Sequence, residues 1–234
     1  MSRGSDRAGH TITRELLESN RLREMILANA PETRVLDDTE LRGSIECMLS
    51  RPPRGVDPSR GVWVFGYGSL PWNPCIEVDD ERICRIHGFH RDFCLNETDG
   101  RGSLQYPGLT LALAPGGACR GIGLRVPGRD LRRELLLLWR REMVTNVYRP
   151  RWVRMHMAGA SAGGIAFVVN RAHPSYLGRL STEDIAHRVA TGHGPIGPCA
   201  EYLERTVAQL ARHGIRDRHL EDIEARVRAL QGDA

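Results

Sequence analysis

A change of hydrophobic periodicity near residue 62 constrains the fold more than any other feature of the sequence. Only one helical pattern, at about 130–142, interrupts the region that follows. Strands spaced this closely cannot each be followed by a crossover helix. We therefore predict an α+β fold with a mixed or antiparallel sheet or a small β-barrel, rather than a doubly wound parallel sheet. The strand-like runs, separated by Gly/Pro turns, are 62–67, 82–95, 109–114, 119–126, 152–157 and 165–169.

Helical patterns flank this region on both sides. An apolar stripe over 16–26 predicts one helix that ends before Pro31, and Asp37 with Glu40 has capping-box spacing for a second. The proline-rich segment 51–60 predicts a linker. After the sheet, we predict helices that begin near Ser181, Glu201 and Asp217. We divide the chain into a helical N-terminal extension with its linker (1–60) and a main domain (61–234).

The composition is that of an ordinary globular chain, with 41% hydrophobic and 26% charged residues. No apolar run approaches the roughly 18 residues of a membrane-spanning helix, and the first 30 residues contain no signal-type apolar segment. All 33 basic residues are arginine, spread over every segment instead of clustered with aromatic residues. We expect a cytoplasmic protein that binds neither membrane nor nucleic acid. The sequence leaves the oligomeric state open.

One segment has spacing that is similar to a zinc site, with Cys84, His87, His90 and Cys94. In a strand, His87 would point away from the other three unless Gly88 formed a bulge, and four ligands in one strand would span too far for a tetrahedral site. We therefore expect no metal there. The six cysteines form no Cys-x-x-Cys pair, which is typical of reduced thiols.

The strongest local motif is an apolar strand that leads directly into a turn with two glycines. It reads Phe65-Gly66-Tyr67-Gly68-Ser69-Leu70 and is followed by Pro71. Glycine permits close approach of a ligand, so successive N–H groups can converge on a carboxylate or an oxyanion. A third glycine is missing and Pro71 prevents a helix, which excludes a dinucleotide fingerprint. The spacing leaves two interpretations open, an anion-binding turn and a structural bulge.

Helical geometry draws attention to Glu142. Leu131, Leu135, Leu138 and Glu142 lie at i, i+4, i+7 and i+11, so the carboxylate continues an apolar stripe. A carboxylate there loses hydration, which raises its pKa toward the range that general acid-base catalysis uses. The alternative is a structural ion pair with a nearby arginine. The candidates for that pair are Arg140, Arg141 and Arg149.

Taken in order, these motifs resemble the ChaC family of glutathione-specific γ-glutamyl cyclotransferases. The similarity extends over about 62–230, with Cys199 where some members have Asn. It implies a γ-glutamylcyclotransferase-like mixed sheet or small barrel with surrounding helices. The segments that carry it are 63–70, 100–102 with 107–109, Arg141-Glu142 ahead of Tyr148, 173–178 and 194–203.

The resemblance also implies an activity. Such an enzyme cleaves glutathione into 5-oxoproline and Cys-Gly by intramolecular aminolysis, with Glu142 as the proton carrier and without a metal or cofactor. Two alternatives remain open, a cyclotransferase for other γ-glutamyl amines or amino acids and a non-catalytic γ-glutamyl-binding module. The substrate-binding residues that the resemblance implies are Phe65, Gly66, Tyr67, Gly68, Ser69, Leu70, Arg101, Tyr148 and Tyr176.

Overall fold

The computed structural model describes residues 12–30 and 32–232. The start of the predicted N-terminal extension and Pro31, the predicted end of its first helix, lie outside these residues. The helices are α1 Arg14–Glu18, α2 Arg21–Asn29, α3 Asp38–Leu49, α4 Leu131–Glu142, α5 Thr182–Thr191, α6 Cys199–Arg212 and α7 Arg218–Gly232. The strands are β1 Gly61–Gly66, β2 Asp80–Glu97, β3 Gly108–Pro127, β4 Tyr148–Met157, β5 Ala160–Val169, β6 His193–Gly194 and β7 Gly197–Pro198.

The five long strands close into a barrel in the order β1-β3-β2-β4-β5. Strand β5 pairs with β1 in parallel, whereas β3 pairs with β1 and β2, and β4 with β2 and β5, in antiparallel fashion. Large apolar side chains from these strands are fully buried, among them Phe65, Phe93, Ile122 and Phe167. The predicted α+β fold with a small mixed barrel is confirmed.

Two predicted strands, 109–114 and 119–126, are one continuous strand, so the prediction of a turn between them was wrong. Strand β3 remains paired with β2 across this region, with a register shift between His87 and Phe89. Gly116 and Gly117 have φ of 103° and 68°, and Gly88 on β2 has φ of 85°. Glycine adopts these angles without steric cost, so the pair of strands bends here instead of ending.

The single helix predicted over 16–26 is two helices, because the helical conformation is interrupted between α1 and α2. Asn20 there has φ of 57°, in the left-handed region that asparagine tolerates better than most residues. The capping box of α3 is confirmed: Asp37 accepts from the Glu40 N–H at 2.8 Å, and Glu40 accepts from the Asp37 N–H at 3.0 Å. The division of the chain at residue 60 stays a prediction.

Helix α4 packs against the N-terminal helices and is amphipathic in the predicted way. Leu131, Leu135 and Leu138 are buried, and the helix ends at Glu142. On its other faces, Arg140 pairs with Asp38 of α3 at 2.5 Å. The helix therefore connects the N-terminal extension to the barrel and carries Glu142 at its C-terminal end.

Candidate active site

A cavity of about 770 Å³ is lined by the turn after β1, the C-terminal end of α4, β2, β3 and the N-terminal extension. This volume lies within the range of pockets that hold small molecules. Of the predicted site residues, Tyr67, Gly68, Ser69, Leu70, Arg101, Glu142 and Tyr148 line it. The structure therefore brings the glycine turn and the helix-terminal carboxylate into one cavity.

Three predicted site residues do not belong to the described lining of this cavity. Phe65 is fully buried in the apolar core. A Cβ at Gly66 would lie 2.7 Å from Cγ of Pro71, so close packing of the turn requires glycine there. Tyr176 forms an isolated β-bridge with Leu95 of β2. Substrate contact by these three residues stays a prediction.

The turn after β1 has backbone donors to offer. In the described part of the chain, no hydrogen bond uses the N–H of Gly68, Ser69 or Leu70, whereas the Ser69 carbonyl accepts from the N–H groups of Trp72 and Asn73 at 3.2 and 2.9 Å. Three successive free N–H groups beside a cavity are typical of an anion-binding turn. A Cβ at Gly68 would lie 2.7 Å from the Tyr202 hydroxyl, so this position also requires a residue without a side chain.

Glu142 lies at the cavity wall with 13% of its side chain exposed. Burial raises the pKa of its carboxyl above the usual range, and the positive charge and hydrogen bond of Arg141 oppose that rise. The Nε of Arg141 is 2.9 Å from Oε1 of Glu142. The inward orientation predicted from the stripe is confirmed, and so is the ion pair considered as its alternative. Glu142 therefore has both a partner and access to the cavity.

Arg141 connects Glu142 to the glycine turn. Its side chain is 4% exposed, Nη2 donates to Oγ of Ser69 at 2.7 Å, and Nη1 donates to the carbonyl of Asn73. One guanidinium thus contacts the carboxylate of Glu142 and two residues of the segment after β1, Ser69 and Asn73. The sequence indicated Arg141 as a possible ion-pair partner and as part of the Arg141-Glu142 motif. It did not indicate the contacts with the turn, because Ser69 and Asn73 lie about 70 residues away.

Three buried tyrosines lie around Glu142. Tyr67 donates to the carbonyl of Phe167 at 3.0 Å and Tyr148 to that of Leu111 at 2.9 Å. Burial, and secondarily the Glu142 carboxylate, raises the pKa of Tyr67 and of Tyr202 well above the usual value. These hydroxyls therefore stay neutral. Tyr202 lies on α6, and sequence reasoning missed it because nothing in its local pattern distinguishes it from a core residue.

A second carboxylate in the cavity, Glu97 at the end of β2, was also missed. Its Oε2 accepts from Oγ1 of Thr110 at 2.9 Å, and its Oε1 accepts from the Asp99 N–H at 3.2 Å. Burial, followed by the charge of Asp99, raises its pKa from 4.5 to about 7. No local pattern in the sequence indicates this burial, since a polar residue at a strand end is ordinarily exposed.

The raised pKa of Glu97 predicts a specific pH dependence of stability. Between pH 4.5 and about 7 the folded state retains a proton that the unfolded state has released, so this carboxyl's contribution to the free energy of unfolding falls as the pH rises. Glu97→Gln removes that dependence. Relative to the wild type, the variant should gain on the order of 1–3 kcal/mol at pH 8 and little at pH 4.5.

Urea unfolding at both pH values measures this effect. Glu81→Gln, on an exposed position of the same strand, is the control and should follow the wild type at both. An identical pH dependence for the Glu97 variant and the wild type would contradict the assignment.

The possible metal ligands do not converge. In the described ranges, no group of three or more His, Cys, Asp or Glu side chains could hold a metal ion. Cys84 and Cys94 are buried, while His87 and His90 are exposed. Within the same residues, none of the helices has the length and apolar character needed to cross a membrane.

Comparison with known proteins identifies the family of the chain. Residues 62–230 match the family model described as ChaC-like protein. The fold and this match define the class, a protein with the γ-glutamylcyclotransferase type of barrel. The chain belongs to the ChaC family.

Individual relatives support this placement. The chain is 39% identical over 184 residues to the glutathione-specific gamma-glutamylcyclotransferase of Escherichia coli K12. The aligned region covers 78% of each protein. It is 32% identical over 175 residues to the human glutathione-specific gamma-glutamylcyclotransferase 1, covering 72% of this chain and 79% of the relative. A crystal structure of the yeast cyclotransferase specific to glutathione superimposes with a TM-score of 0.68 at 21% identity, over 75% of this chain and 99% of that one. The structural likeness shows that the fold is shared.

Proposed function

We propose that this protein is a glutathione-specific γ-glutamylcyclotransferase, which converts glutathione into 5-oxoproline and Cys-Gly. The observation that carries the proposal is one cavity that holds both a turn with three free N–H groups and a carboxylate of raised pKa, that of Glu142. The E. coli and human relatives carry the name of this activity and support the choice of substrate.

The reaction is an intramolecular aminolysis. The α-amine of the glutamyl residue attacks the γ-carbonyl carbon, and a five-membered ring forms through the new C–N bond. The bond from that carbon to the cysteine nitrogen then breaks. Glu142 accepts the proton that the α-amine loses and returns a proton to the departing nitrogen, so that charge and atoms balance. Binding glutathione in a curled conformation supplies the orientation that this ring closure needs.

The glycine turn is suited to the charges of that substrate. Donors from Gly68, Ser69 and Leu70 would bind the glutamyl group and stabilise the oxyanion that develops at its γ-carbonyl. Arg141 would hold this turn and Glu142 at a fixed separation. Arg101, which is 5% exposed, and Tyr148 are further proposed contacts at the cavity wall.

Product analysis tests the proposal directly. Incubation of the purified protein with glutathione, followed by chromatography and mass spectrometry, should yield 5-oxoproline and Cys-Gly in equal amounts. A panel of γ-glutamyl amino acids and amines should show kcat/KM at least about tenfold below that for glutathione. Comparable values would favour the broader cyclotransferase, and binding without turnover would favour a non-catalytic γ-glutamyl-binding module.

We also propose that the activity is cytoplasmic. All six cysteines of the chain are free thiols and four of them are buried, as expected in a reducing compartment.

A further inference from the structure

The N-terminal extension reaches the cavity, although it precedes the segment that the family model matches. Ile12, Leu22, Met25 and Ile26 line the cavity with apolar side chains, and 32–34 contribute a short polar stretch. We call the described residues 12–30 and 32–36 the N-terminal roof. Its place in the cavity wall means that the barrel alone does not enclose the site.

Hydrogen bonds connect the roof to both sides of Glu142. On one side, the Ile12 carbonyl accepts from Nδ2 of Asn73 at 2.8 Å, and the carbonyl of the same Asn73 accepts from Arg141, the partner of Glu142. On the other side, the Leu36 N–H donates to the carbonyl of Val144, two residues after Glu142, at 2.7 Å. The roof therefore contacts the turn and the end of α4 at once.

A bidentate ion pair with a buried carboxylate fixes the roof to α4. Arg14 donates to both oxygens of Glu134, at 2.6 and 2.8 Å, and the Glu134 side chain is 3% exposed. Glu134 also accepts from the Glu77 N–H at 2.7 Å. A bidentate contact with a buried carboxylate is geometrically specific, so it sets the position of α1 over the cavity.

We infer that the N-terminal roof is a working part of the active site, which keeps water from Glu142 and positions its carboxylate through Asn73 and Arg141. Its residues are positioning residues, since none is assigned to the reacting atoms. The physical reason is the chemistry of the reaction. Ring closure needs no water, whereas water that reached the γ-carbonyl would release glutamate in place of 5-oxoproline.

Other ionisable groups also face Glu142 and must be considered in any pH test. Arg141 is its neighbour on α4, and Tyr67, Tyr148, Tyr202 and Cys75 interact with its charge. Elsewhere in the cavity wall, the roof supplies residues 32 and 34 and the barrel side supplies residues 97, 99, 101, 149 and 173. A test that leaves all of these groups in place isolates the effect of the roof.

A matched pair of methionines provides such a test. Met25 of α2 and Met48 of α3 are both half-buried residues of the N-terminal extension, but only Met25 is among the described residues that line the cavity. Met25→Ala and Met48→Ala remove the same atoms from half-buried positions. Each leaves the charged groups, Asn73 and the ion pair of Arg14 unchanged.

Two measurements follow. In ¹³C NMR of carboxyl-labelled glutamate, with the signal assigned by its loss in Glu142→Gln, Met25→Ala should lower the pKa of Glu142 toward its usual value because water enters. In assays with glutathione, Met25→Ala should lower kcat about threefold to tenfold and release detectable glutamate. Met48→Ala should change neither the titration nor the product. Unchanged behaviour of Met25→Ala, or equal effects of both variants, would overturn the inference.

Removal of the ion pair between Arg14 and Glu134 gives a second test with its own control. Like Met25→Ala, Arg14→Gln should lower both the pKa of Glu142 and kcat for glutathione. Arg133→Gln removes an exposed contact between α4 and Glu18 of α1 and should leave both unchanged. If Arg14→Gln fails to fold, the methionine pair still decides the question.

The inference rests on the proposed function for its kinetic readout only. A wild-type protein that leaves glutathione intact would refute the proposed function, and the NMR titration would still show whether the roof shields Glu142. An active wild type with no difference between the methionine variants would refute the roof alone.

Discussion

Replacing Glu142 with glutamine should lower kcat for glutathione by about 10²- to 10⁴-fold, the contribution typical of general acid-base catalysis. Glutamine has the same length and keeps an oxygen for the Arg141 contact, which is 2.9 Å in the wild type. It cannot accept the proton of the attacking amine. Glutathione binding, measured by calorimetry, should persist, and thermal unfolding should show an intact fold.

Glu142→Asp is the matched control for this prediction. It keeps a carboxyl group but withdraws it by one methylene, so its kcat should lie between those of the wild type and the glutamine variant. Turnover by Glu142→Gln at the wild-type rate would contradict the role of Glu142 as proton carrier. Loss of both glutathione binding and turnover would instead indicate a structural role for Glu142.

The parts of the fold that the sequence predicted are those with a local physical cause. The period of α4 determined its buried face and therefore the direction of Glu142. The capping box of α3 and the Ser181 cap of α5 depend on residues three positions apart. Alternation and turn residues located the strands, except where two glycines allowed β3 to bend and continue.

The missed parts of the site depend on contacts between distant residues. Arg141 donates hydrogen bonds to Ser69 and Asn73. The Tyr202 hydroxyl packs against Gly68. Arg14 pairs with Glu134, 120 residues away in the sequence. No local period encodes such pairs, because they exist only once the barrel has closed. The role of the N-terminal extension remained open for the same reason: its apolar stripe indicated a buried face but not what that face covers.

Three contacts of the site converge on the guanidinium of Arg141. Arg141 is bound to the carboxylate, to the hydroxyl of the turn and to the carbonyl of Asn73, whose side chain holds the roof. A change at this position therefore alters the charge next to Glu142 and the geometry of the whole site.

Arg141→Gln should lower kcat/KM for glutathione by about tenfold to a hundredfold. It should also shift the pH dependence. Because the positive charge of Arg141 opposes the effect of burial on Glu142, its removal raises the pKa of that carboxyl further. As the pH falls, the carboxylate that accepts the proton then becomes protonated at a higher pH than in the wild type. The acidic limb of the rate profile should therefore move to higher pH. Rates measured from pH 5 to pH 9 show this shift.

Two further variants separate charge from geometry. Arg132→Gln, on the same helix, removes only an exposed pair with Glu46 and should leave the rate and its pH profile within about twofold of the wild type. Arg141→Lys keeps the charge but not the planar group that reaches three acceptors. It should therefore restore the position of the acidic limb while kcat stays low. If Arg141→Gln left that limb unchanged, the charge of Arg141 would not control Glu142, and its role would be confined to holding the turn.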